Sequence, residues 1–398
     1  MLRKQTIRDV DVDGKRVLVR VDFNVPLDRE TGQVADDLRI RAAVPTIRYL
    51  RDHGAKTILI SHLGRPKGVD ESLRLAPVAE RLTQVLGAPV RYVPEVVGPE
   101  VQRAAHGLTP GDVLLLENLR FHPGEERNDP ELAKALASLA ELYVNDAFGA
   151  AHRAHASTEG VAHYLPAVAG FLMEREIEYL SRAVSDPERP YAVITGGAKI
   201  SGKIDVIRNL LDKMDRLLIG GGMANTFLKA RGVQVGDSLV EDDQLATAES
   251  IAEEAARRGV TLQLPVDVVI ADRFEDGAER RTVRAEEGVP PGWRIMDIGP
   301  ATVEAFRAHL RDARTVVWNG PMGVFELPSF AEGTRAVARL LAGLDAVTIV
   351  GGGETAQAVE ETGVADRISH VSTGGGASLE FLEGKALPGI AVLRDREA

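Results

Sequence analysis

The chain has 398 residues, of which 44% are hydrophobic and 27% charged, and this composition excludes a disordered chain, which lacks the apolar content for a core. Its formal charge of −11 argues against nonspecific binding to nucleic acid or to an anionic membrane. The absence of cysteine excludes disulfides, thiolate metal sites and cysteine nucleophiles. No apolar run approaches the ~18 residues of a membrane span, and the first residues lead into no apolar signal core, so we expect a cytoplasmic protein.

Apolar segments rich in Val, Ile and Leu recur along the chain, and each ends in a Gly, Asn or Asp cluster. Near-continuous apolar runs of this kind predict strands of parallel sheets that are buried on both faces. The predicted strands lie at residues 16–25, 55–62, 112–121, 142–149, 191–197, 216–222, 262–271, 315–320 and 346–353. Predicted helices alternate with them at residues 39–53, 73–86, 130–139, 171–184, 242–258 and 330–341. The alternation predicts an α/β fold of doubly wound, Rossmann-like parallel sheets.

The length predicts more than one domain, since a typical domain has roughly 100–200 residues. The clearest candidate boundary is the turn at residues 166–170, which precedes the predicted helix at 171–184. We therefore expect one domain at residues 1–168 and a second that begins at residue 169.

Basic and polar side chains stand just after the apolar segments of the first half, where the strand ends of an α/β sheet carry ligands. They are Asp22, Asn24, His62, Arg65, Arg120 and Arg153, with Arg39 at a helix start. Arginine presents a planar set of donors that suits bidentate binding of carboxylate or phosphate. If the strand order brings these ends together, the set predicts a pocket for a small, strongly anionic substrate. An isolated arginine is more often part of a surface ion pair, and the recurrence at successive strand ends favours a site.

A glycine-rich turn follows the first strand of the second half, at residues 195–204. The spacing from Gly197 to Lys203 matches G-x-x-x-x-G-K, but Ile204 stands where a P-loop needs Ser or Thr, so we reject a P-loop. What remains is a glycine turn that opens a helix, with Lys199 and Lys203 four residues apart on one helical face. The lysine pair predicts phosphate binding, and the alternative is a solvated helix start.

Three glycine clusters follow later strands, each at a predicted strand-to-helix turn. They are Gly220-Gly221-Gly222, Gly351-Gly352-Gly353 and Gly374-Gly375-Gly376. Glycine lets backbone amides approach a ligand closely, and a following helix adds a positive dipole end, so the clusters predict a nucleotide phosphate site. No G-x-G-x-x-G with an acidic residue at the right distance is present, which argues against a dinucleotide site.

Carboxylates stand beside two of these turns. In the loop that contains Asn319, Pro321 and Glu326, Pro321 could face a base and Glu326 could bind ribose hydroxyls. Glu354 begins a helix directly after Gly353. Its carboxylate is either a helix-start acid favoured by the dipole or a ligand of Mg²⁺ beside phosphates, and position alone does not separate these alternatives.

Taken together, these segments resemble the phosphoglycerate kinase family. The matching segments lie at residues 20–26, 61–68, 117–125, 144–155, 196–203, 220–224, 318–326, 351–355 and 371–378. They occur in the family's order and cover nearly the whole chain, and several are eight or more residues long, so chance similarity is negligible.

The resemblance implies two similar-sized domains joined by a helix, with a central cleft. It implies that residues 1–168 bind 3-phosphoglycerate or 1,3-bisphosphoglycerate, that residues 169–379 bind the nucleotide, and that residues 380–398 pack back on the first domain. The implied reaction is reversible: it transfers a phosphoryl group from 1,3-bisphosphoglycerate to ADP with Mg²⁺, and it gives 3-phosphoglycerate and ATP. The implied transfer is direct and follows domain closure.

The resemblance also implies roles for the first-domain residues. Asp22 and Asn24 hold the glycerate, and Arg39 contacts its carboxyl end and faces the transferring phosphoryl group. The implied substrate contacts are Asp22, Phe23, Asn24, Arg39, His62, Leu63, Gly64, Arg65, Arg120 and Arg153, of which His62, Arg65, Arg120 and Arg153 hold the 3-phosphate.

In the second domain the resemblance assigns Lys199 to the transferring phosphoryl group, Lys203 to nucleotide phosphates and Glu326 to the ribose. The implied nucleotide contacts are Lys199, Lys203, Gly220, Gly221, Asn319, Pro321, Glu326, Gly351, Gly352, Gly353, Glu354 and Thr355. The amides of Gly374, Gly375 and Gly376 would stabilise charge on the moving group, and they complete the implied catalytic set with Arg39 and Lys199.

One departure from the family bears on the metal. After Gly353 the family commonly has Asp, whereas this chain has Glu354, which would reach Mg²⁺ either directly or through a water. Two alternative functions are an NAD-linked dehydrogenase, disfavoured by the missing dinucleotide motif, and a catalytically silent binding protein. We expect a monomer whose partners are small molecules, without nucleic acid or membrane.

Overall fold

The structure is a computed structural model that describes residues 3–396, so residues 1–2 and 397–398 of the expected terminal segments lie outside it. Its strands are β1 (Arg16–Arg20), β2 (Lys56–Ile60), β3 (Arg91–Tyr92), β4 (Val113–Leu115), β5 (Leu142–Asn145), β6 (Ala167–Ala169), β7 (Tyr191–Thr195), β8 (Arg216–Ile219), β9 (Thr261–Gln263), β10 (Asp267–Ala271), β11 (Arg280–Arg284), β12 (Arg294–Ile298), β13 (Thr315–Asn319), β14 (Val347–Gly351) and β15 (His370–Val371). Its helices are α1 (Leu38–Asp52), α2 (Ala76–Leu86), α3 (Pro99–His106), α4 (Pro130–Ala137), α5 (Phe171–Ser185), α6 (Ile204–Leu211), α7 (Gly221–Ala230), α8 (Leu245–Arg257), α9 (Pro300–Leu310), α10 (Glu332–Ala342), α11 (Gly353–Glu361), α12 (Gly376–Leu382) and α13 (Pro388–Ala391).

Two six-stranded sheets carry the fold, in the orders β3-β4-β2-β1-β5-β6 and β15-β14-β13-β7-β8-β9. Every neighbouring pair in both sheets is parallel. The inner strands are buried on both faces, as in β1, where Val17, Leu18 and Val19 are fully buried, because helices cover each side of a parallel sheet. The predicted α/β fold with two parallel-sheet domains is confirmed.

One predicted strand is wrong in its extent and partners. Residues 262–271 were expected to form one strand, but the chain breaks after β9 at Leu264 and Pro265 and resumes as β10. Proline lacks the N–H that a sheet ladder needs, which explains the interruption. The second piece leaves the parallel sheet, and β10 pairs antiparallel with β11 and β12 in a separate three-stranded sheet.

The contacts divide the described chain into two compact units. The first unit comprises residues 3–178 and 386–396, and the second unit comprises residues 179–385. The division falls inside α5, whereas we expected it at residues 168/169. The start of α5 belongs to the first unit because Thr46 Oγ1 accepts from Phe171 N at 2.9 Å and Asp146 Oδ1 accepts from Leu172 N at 2.9 Å.

The C-terminal segment joins the first unit at residue 386 rather than at the expected residue 380. Residues 380–385 stay with the second unit because α12 packs on α6, where Asn209 Nδ2 donates to the Leu382 carbonyl at 2.7 Å. Beyond them, Gly389 O accepts from Asn145 Nδ2 at 3.1 Å and Leu393 O accepts from Lys4 Nζ at 2.9 Å.

Candidate active site

The first unit gathers most of the predicted substrate residues at one edge of its sheet. Strands β4, β2, β1 and β5 are adjacent and parallel, so their carboxyl ends lie side by side. We call the residues that follow these ends, together with the start of α1, the arginine edge: Asp22, Asn24, Arg39, His62, Arg65, Arg120 and Arg153.

Direct contacts link several members of the arginine edge. Arg39 Nη1 donates to Asp22 Oδ2 at 2.8 Å, and the other Asp22 carboxylate oxygen accepts from Asn24 N at 3.1 Å. Gly64 is held from both sides, because its N–H donates to Asn24 Oδ1 at 2.9 Å and its carbonyl accepts from Arg120 Nη1 at 2.6 Å. These hydrogen bonds preorganise the loops after β1, β2 and β4 relative to one another.

Phe23 and Leu63 differ from the other predicted substrate contacts because their side chains are buried in the core, at 0% and 2% exposure. Only their backbone can face a ligand. Asn118, which sequence reasoning missed, fixes the Leu63 backbone: its Oδ1 accepts from Leu63 N at 3.1 Å and its Nδ2 donates to Leu63 O at 2.8 Å. Arg65 and Arg153, in contrast, are exposed.

Positive charge is concentrated around His62 and His155. The pKa of His62 is held well below its ordinary range, first by burial and then by the guanidinium groups of Arg20, Arg120 and Arg39. Burial, Arg20 and Arg120 lower the pKa of His155 to about 4. Both imidazoles are therefore neutral at pH 7, and the charge that an anion meets comes from the arginines.

The second unit contains a cavity of about 420 Å³ at the ends of β7, β8, β12 and β13. Glycine loops, carboxylates and apolar side chains line it. The lining residues are Gly197, Ala198, Gly221, Gly222, Asn225, Asp237, Leu239, Phe274, Arg294, Ile295, Met296, Asp297, Pro321, Met322, Gly323, Val324, Glu326 and Glu354. Of the predicted nucleotide residues, Gly221, Pro321, Glu326 and Glu354 thus share one cavity.

Three loops of this cavity pack backbone against backbone, and glycine makes this possible. Gly197 N donates to Pro321 O at 2.8 Å, and Gly221 N donates to Met322 O at 3.0 Å. Gly221 has φ +66°, and a Cβ there would lie 2.6 Å from Gly197 N. The predicted glycine cluster at 220–222 therefore has a packing role, whereas a Cβ on Gly353 or Gly375 would meet no atom within 4 Å.

The two predicted phosphate lysines do not share a helical face, so this part of the prediction is wrong. Helix α6 begins at Ile204, and the preceding turn is closed by Lys203 N donating to Ile200 O at 2.8 Å. Lys199 is exposed in this turn, and Lys203 is half-buried. Lys203 Nζ donates to Asn319 Oδ1.

Burial lowers the pKa of Lys203 to about 8, and the carboxylates of Glu354 and Glu383 oppose the shift. Its hydrogen-bond partner, Asn319, is neutral, and the buried Nδ2 atom of Asn319 has no hydrogen-bond partner within the described part of the chain. A half-buried ammonium group to which no described carboxylate is directly bonded favours an anionic ligand, which would supply the missing counter-charge.

Two further predicted nucleotide residues lie beside Asn319, since a Cβ on Gly351 or Gly352 would lie 3.3 or 3.0 Å from Asn319 Nδ2. Thr355 is buried, and its Oγ1 accepts from Gly320 N at 2.7 Å, so it fixes the loop after β13. The glycines at 351–353 join β14 to α11, with Gly352 at φ +90°. Gly375 has φ +52° and precedes α12, which begins at Gly376.

Glu354 is the candidate magnesium ligand, and it lies exposed in the first turn of α11. Among the described residues no group of three or more His, Cys, Asp or Glu side chains could hold a metal ion. The single carboxylate of Glu354 fits Mg²⁺, which typically takes one or two carboxylates together with substrate phosphates rather than an all-protein cage.

Sequence reasoning also missed the apolar wall of the cavity. Leu239 and Phe274 are 52% and 62% exposed, and both line it. Exposed apolar side chains in a cavity suit a flat aromatic ligand such as a base. No local pattern marks them, because each lies in an irregular segment outside the glycine loops.

Comparisons with known proteins identify the family. A family model described as phosphoglycerate kinase matches residues 7–385. A curated phosphoglycerate kinase of Moorella thermoacetica is 62% identical over 396 residues, covering 99% of this chain and 100% of the relative. The chain belongs to the phosphoglycerate kinase family. A phosphoglycerate kinase of Chloroflexus aggregans, 59% identical over 402 residues with full coverage of both chains, agrees.

Solved structures of phosphoglycerate kinases match the fold as well. One from Coxiella burnetii has a TM-score of 0.89 and 42% identity, covering 98% of each chain. One from Pyrococcus horikoshii has a TM-score of 0.85 and 35% identity, covering 99% of this chain and 98% of the other. The predicted resemblance is confirmed.

Membership in the phosphoglycerate kinase family shows that the chain is an enzyme. Its class is that of a glycolytic kinase that transfers a phosphoryl group reversibly, with ADP and ATP as co-substrates. This excludes the alternative of an NAD-linked dehydrogenase. Within residues 3–396, no helix is long and apolar enough to cross a membrane.

Proposed function

We propose that this member of the phosphoglycerate kinase family moves the acyl phosphate of 1,3-bisphosphoglycerate directly to ADP, without a covalent enzyme intermediate. The observation that carries the proposal is the division of anion-binding chemistry between the two units. The arginine edge lies in the first unit, whereas the glycine-lined cavity and the half-buried Lys203 lie in the second. Each reactant would thus have its own site within one chain. Because one chain carries both sites, we propose that it acts as a monomer. We also propose that it acts in the cytoplasm.

The arginine edge would bind the glycerate and its 3-phosphate. Asp22 would accept a hydrogen bond from the glycerate, and Asn24 would donate one to it. The guanidinium groups of Arg65, Arg120 and Arg153 would pair with phosphate oxygens, whose geometry they match. Arg120 supports this role, since its side chain is 7% exposed and anchored to Gly64 O. A fixed donor loses little entropy on binding.

The cavity of the second unit would bind the nucleotide. Leu239 and Phe274 offer apolar surface to the base, and Glu326 would accept from ribose hydroxyls. Lys203 would meet the phosphates with the amides of Gly351, Gly352 and Gly353, beside Gly220, Gly221, Asn319, Pro321 and Thr355. Glu354 would hold Mg²⁺ directly or through water, and the bound ion neutralises charge on the nucleotide phosphates.

Transfer itself needs charge stabilisation more than proton chemistry. The attacking oxygen of ADP is already anionic, so no general base is required, and the moving group carries negative charge on its equatorial oxygens. Arg39, Lys199 and the amides of Gly374–Gly376 would stabilise that charge. Because the two reactants bind to different units, transfer requires the units to close and bring the reactants together. Closure would also exclude water from the moving group.

The reaction is tested by ATP formation from ADP and enzymatically generated 1,3-bisphosphoglycerate, with and without Mg²⁺. We expect magnesium-dependent ATP production that is lost in Lys199→Ala. A folded protein that binds ADP without any turnover would contradict the proposal. Small-angle scattering with both ligands tests closure, and an unchanged radius of gyration would count against it.

A further inference from the structure

A buried chain of polar groups lies behind the arginine edge and ends on His62. Ser157 Oγ donates to Glu125 Oε1 at 2.5 Å and accepts from Arg20 Nε at 2.8 Å. Arg20 Nη2 lies 3.0 Å from His62 Nδ1. Glu125 and Ser157 are fully buried, Arg20 is 1% exposed and His62 is 7% exposed. No role is predicted from the sequence for Arg20, Glu125 or Ser157.

The contact between Arg20 and His62 determines where the imidazole carries its proton. A guanidinium group only donates hydrogen bonds, so His62 Nδ1 must accept. The proton of the neutral ring therefore resides on Nε2. A doubly protonated ring would place an N–H against another N–H in a buried site, which is strongly unfavourable.

The groups that face His62 reinforce this state. Arg20, Arg120, Arg39 and His155 are the charged or titratable groups that act on the ring. All four disfavour a positive imidazole, and burial acts in the same direction. Among residues 3–396, no carboxylate acts directly on the ring to oppose them.

Arg20 is itself held in one orientation. Besides its bonds to Ser157 and His62, its Nη1 donates to the Val21 carbonyl at 2.5 Å. Glu125 accepts from Ser157 through both oxygens, from Oγ and from the backbone N–H at 3.2 Å. Glu125 thus supplies the counter-charge for Arg20 through Ser157, and Ser157 spaces the two charges apart.

We propose that Arg20 is a positioning residue that holds His62 as the neutral tautomer protonated on Nε2, so that His62 gives the bound phosphate one directed hydrogen bond and no charge. This rests on the proposed function for the identity of the anion, a phosphate monoester. The distinction matters because a neutral donor keeps its strength across the pH range in which a free histidine titrates.

The tautomer is tested first in the ligand-free enzyme, by ¹⁵N chemical shifts of His62 recorded from pH 5.5 to 8. We expect Nε2 to show the shift of a protonated nitrogen and Nδ1 that of an unprotonated one at every pH. A protonated Nδ1, or titration of the ring near its ordinary value of about 6.5, would overturn the proposal. This measurement does not depend on activity, so it stands apart from the proposed function.

The functional consequence is tested with Arg20→Met, which keeps much of the length and removes every donor. We expect KM for 3-phosphoglycerate to rise about tenfold with a smaller change in kcat, since one hydrogen bond to a charged group is weakened. The ratio of variant to parent KM should also become pH-dependent between pH 6 and 8, as His62 begins to titrate. A KM ratio that is constant across this range would contradict the positioning role.

Two further variants guard against a folding defect. Arg20→Lys retains a cationic donor and should restore part of the parent's pH profile. Ser157→Ala leaves Arg20 in place but removes the hydrogen bond to its Nε, so we expect a smaller shift in the same direction. If Ser157→Ala folds as the parent does and leaves the His62 ring shifts identical, the Glu125–Ser157 part of the chain plays no role. A failure of 3-phosphoglycerate to bind with the tautomer intact would instead refute the proposed function.

Discussion

Arg39 Nη1 donates to Asp22 Oδ2 at 2.8 Å. The arginine predicted to face the transferring phosphoryl group is therefore hydrogen-bonded to a residue predicted to hold the glycerate. Arg39 remains 37% exposed, whereas Asp22 is 12% exposed. The carboxylate therefore orients the guanidinium group while leaving donors free for a ligand.

We predict that Arg39→Ala lowers kcat by about 10²–10³, the usual cost of one missing donor to developing charge. ADP affinity should stay unchanged, because the nucleotide residues lie in the other unit. Steady-state kinetics and calorimetry measure both. Arg41→Ala is the matched control, since Arg41 lies on the same helix, is 56% exposed and pairs with Asp37. Turnover of Arg39→Ala within about twofold of the parent would remove Arg39 from the mechanism.

We predict that ADP binding takes up a proton at Lys203 above pH 8. Burial lowers the pKa of this lysine to about 8, so the free enzyme loses the proton as pH rises past that value, whereas bound phosphates favour the charged form. At pH 8.5 the heat of ADP binding should therefore depend on the ionisation enthalpy of the buffer.

Two variants test the assignment to Lys203. Lys203→Met should abolish the buffer dependence and weaken ADP binding about tenfold or more, because a charge-assisted contact is lost. Lys229→Met removes a 41% exposed lysine that pairs with Asp242, and it should leave both quantities as they are. ADP affinity unchanged in Lys203→Met would exclude Lys203 from the site.

We predict that Gly221→Ala destabilises the protein and Gly353→Ala does not. A Cβ at Gly221 would meet Gly197 N at 2.6 Å and Pro321 O at 2.7 Å, with φ at +66°. Left-handed backbone costs a non-glycine residue roughly 1–2 kcal/mol, and overpacking adds about 1–3 kcal/mol. Denaturant unfolding of the two variants measures the difference, and equal free energies of unfolding would refute the packing role.

We predict a pH-dependent effect of Asp146→Asn on stability. Burial raises the pKa of Asp146 from 3.8 to about 6, so in the folded state the carboxyl stays protonated while the unfolded chain ionises. The free energy of unfolding therefore falls between about pH 4 and pH 6, by at most about 3 kcal/mol.

Asparagine keeps an oxygen that can accept from Leu172 N and Met173 N, as Asp146 Oδ1 does, but it cannot ionise. Relative to the parent, Asp146→Asn should gain about 1–3 kcal/mol on going from pH 4 to pH 7. Thermal or denaturant unfolding at both values measures this gain. Asp186→Asn, at an exposed position, serves as the control. If the free energy of unfolding of Asp146→Asn changed with pH as that of the parent does, the effect of burial would be contradicted.

We predict that Glu354→Ala raises the Mg²⁺ concentration needed for half-maximal activity several-fold, since a carboxylate is the ligand Mg²⁺ prefers. Glu354→Asp should restore a requirement close to that of the parent, while Glu354→Gln should not. Activity measured over a magnesium titration at fixed ADP distinguishes them. If the Mg²⁺ requirement of Glu354→Ala equalled that of the parent, Glu354 would not be a metal ligand, and its carboxylate would only interact favourably with the helix dipole.

Local patterns were enough to predict the parallel sheets, the strand-end positions of Asp22, His62 and Arg120, and the glycine turns. They were not enough where a residue's surroundings come from distant parts of the chain. Lys203 was expected on a helical face beside Lys199, but its partner Asn319 is 116 residues away. The strand expected at 262–271 is interrupted at Leu264 and Pro265, because the missing N–H of proline outweighs the apolar pattern.

The sequence by itself determined the α/β class, the family and the order of the motifs, because periodicity and contiguous motifs are properties of short stretches of chain. Only the tertiary structure decided which groups are buried and which side chains they meet. It paired Arg20 with His62, placed Leu239 and Phe274 on one cavity, and buried the phenyl ring of Phe23. Desolvation and hydrogen bonding depend on contacts across the folded chain, and these contacts set the ionisation states on which the chemistry rests.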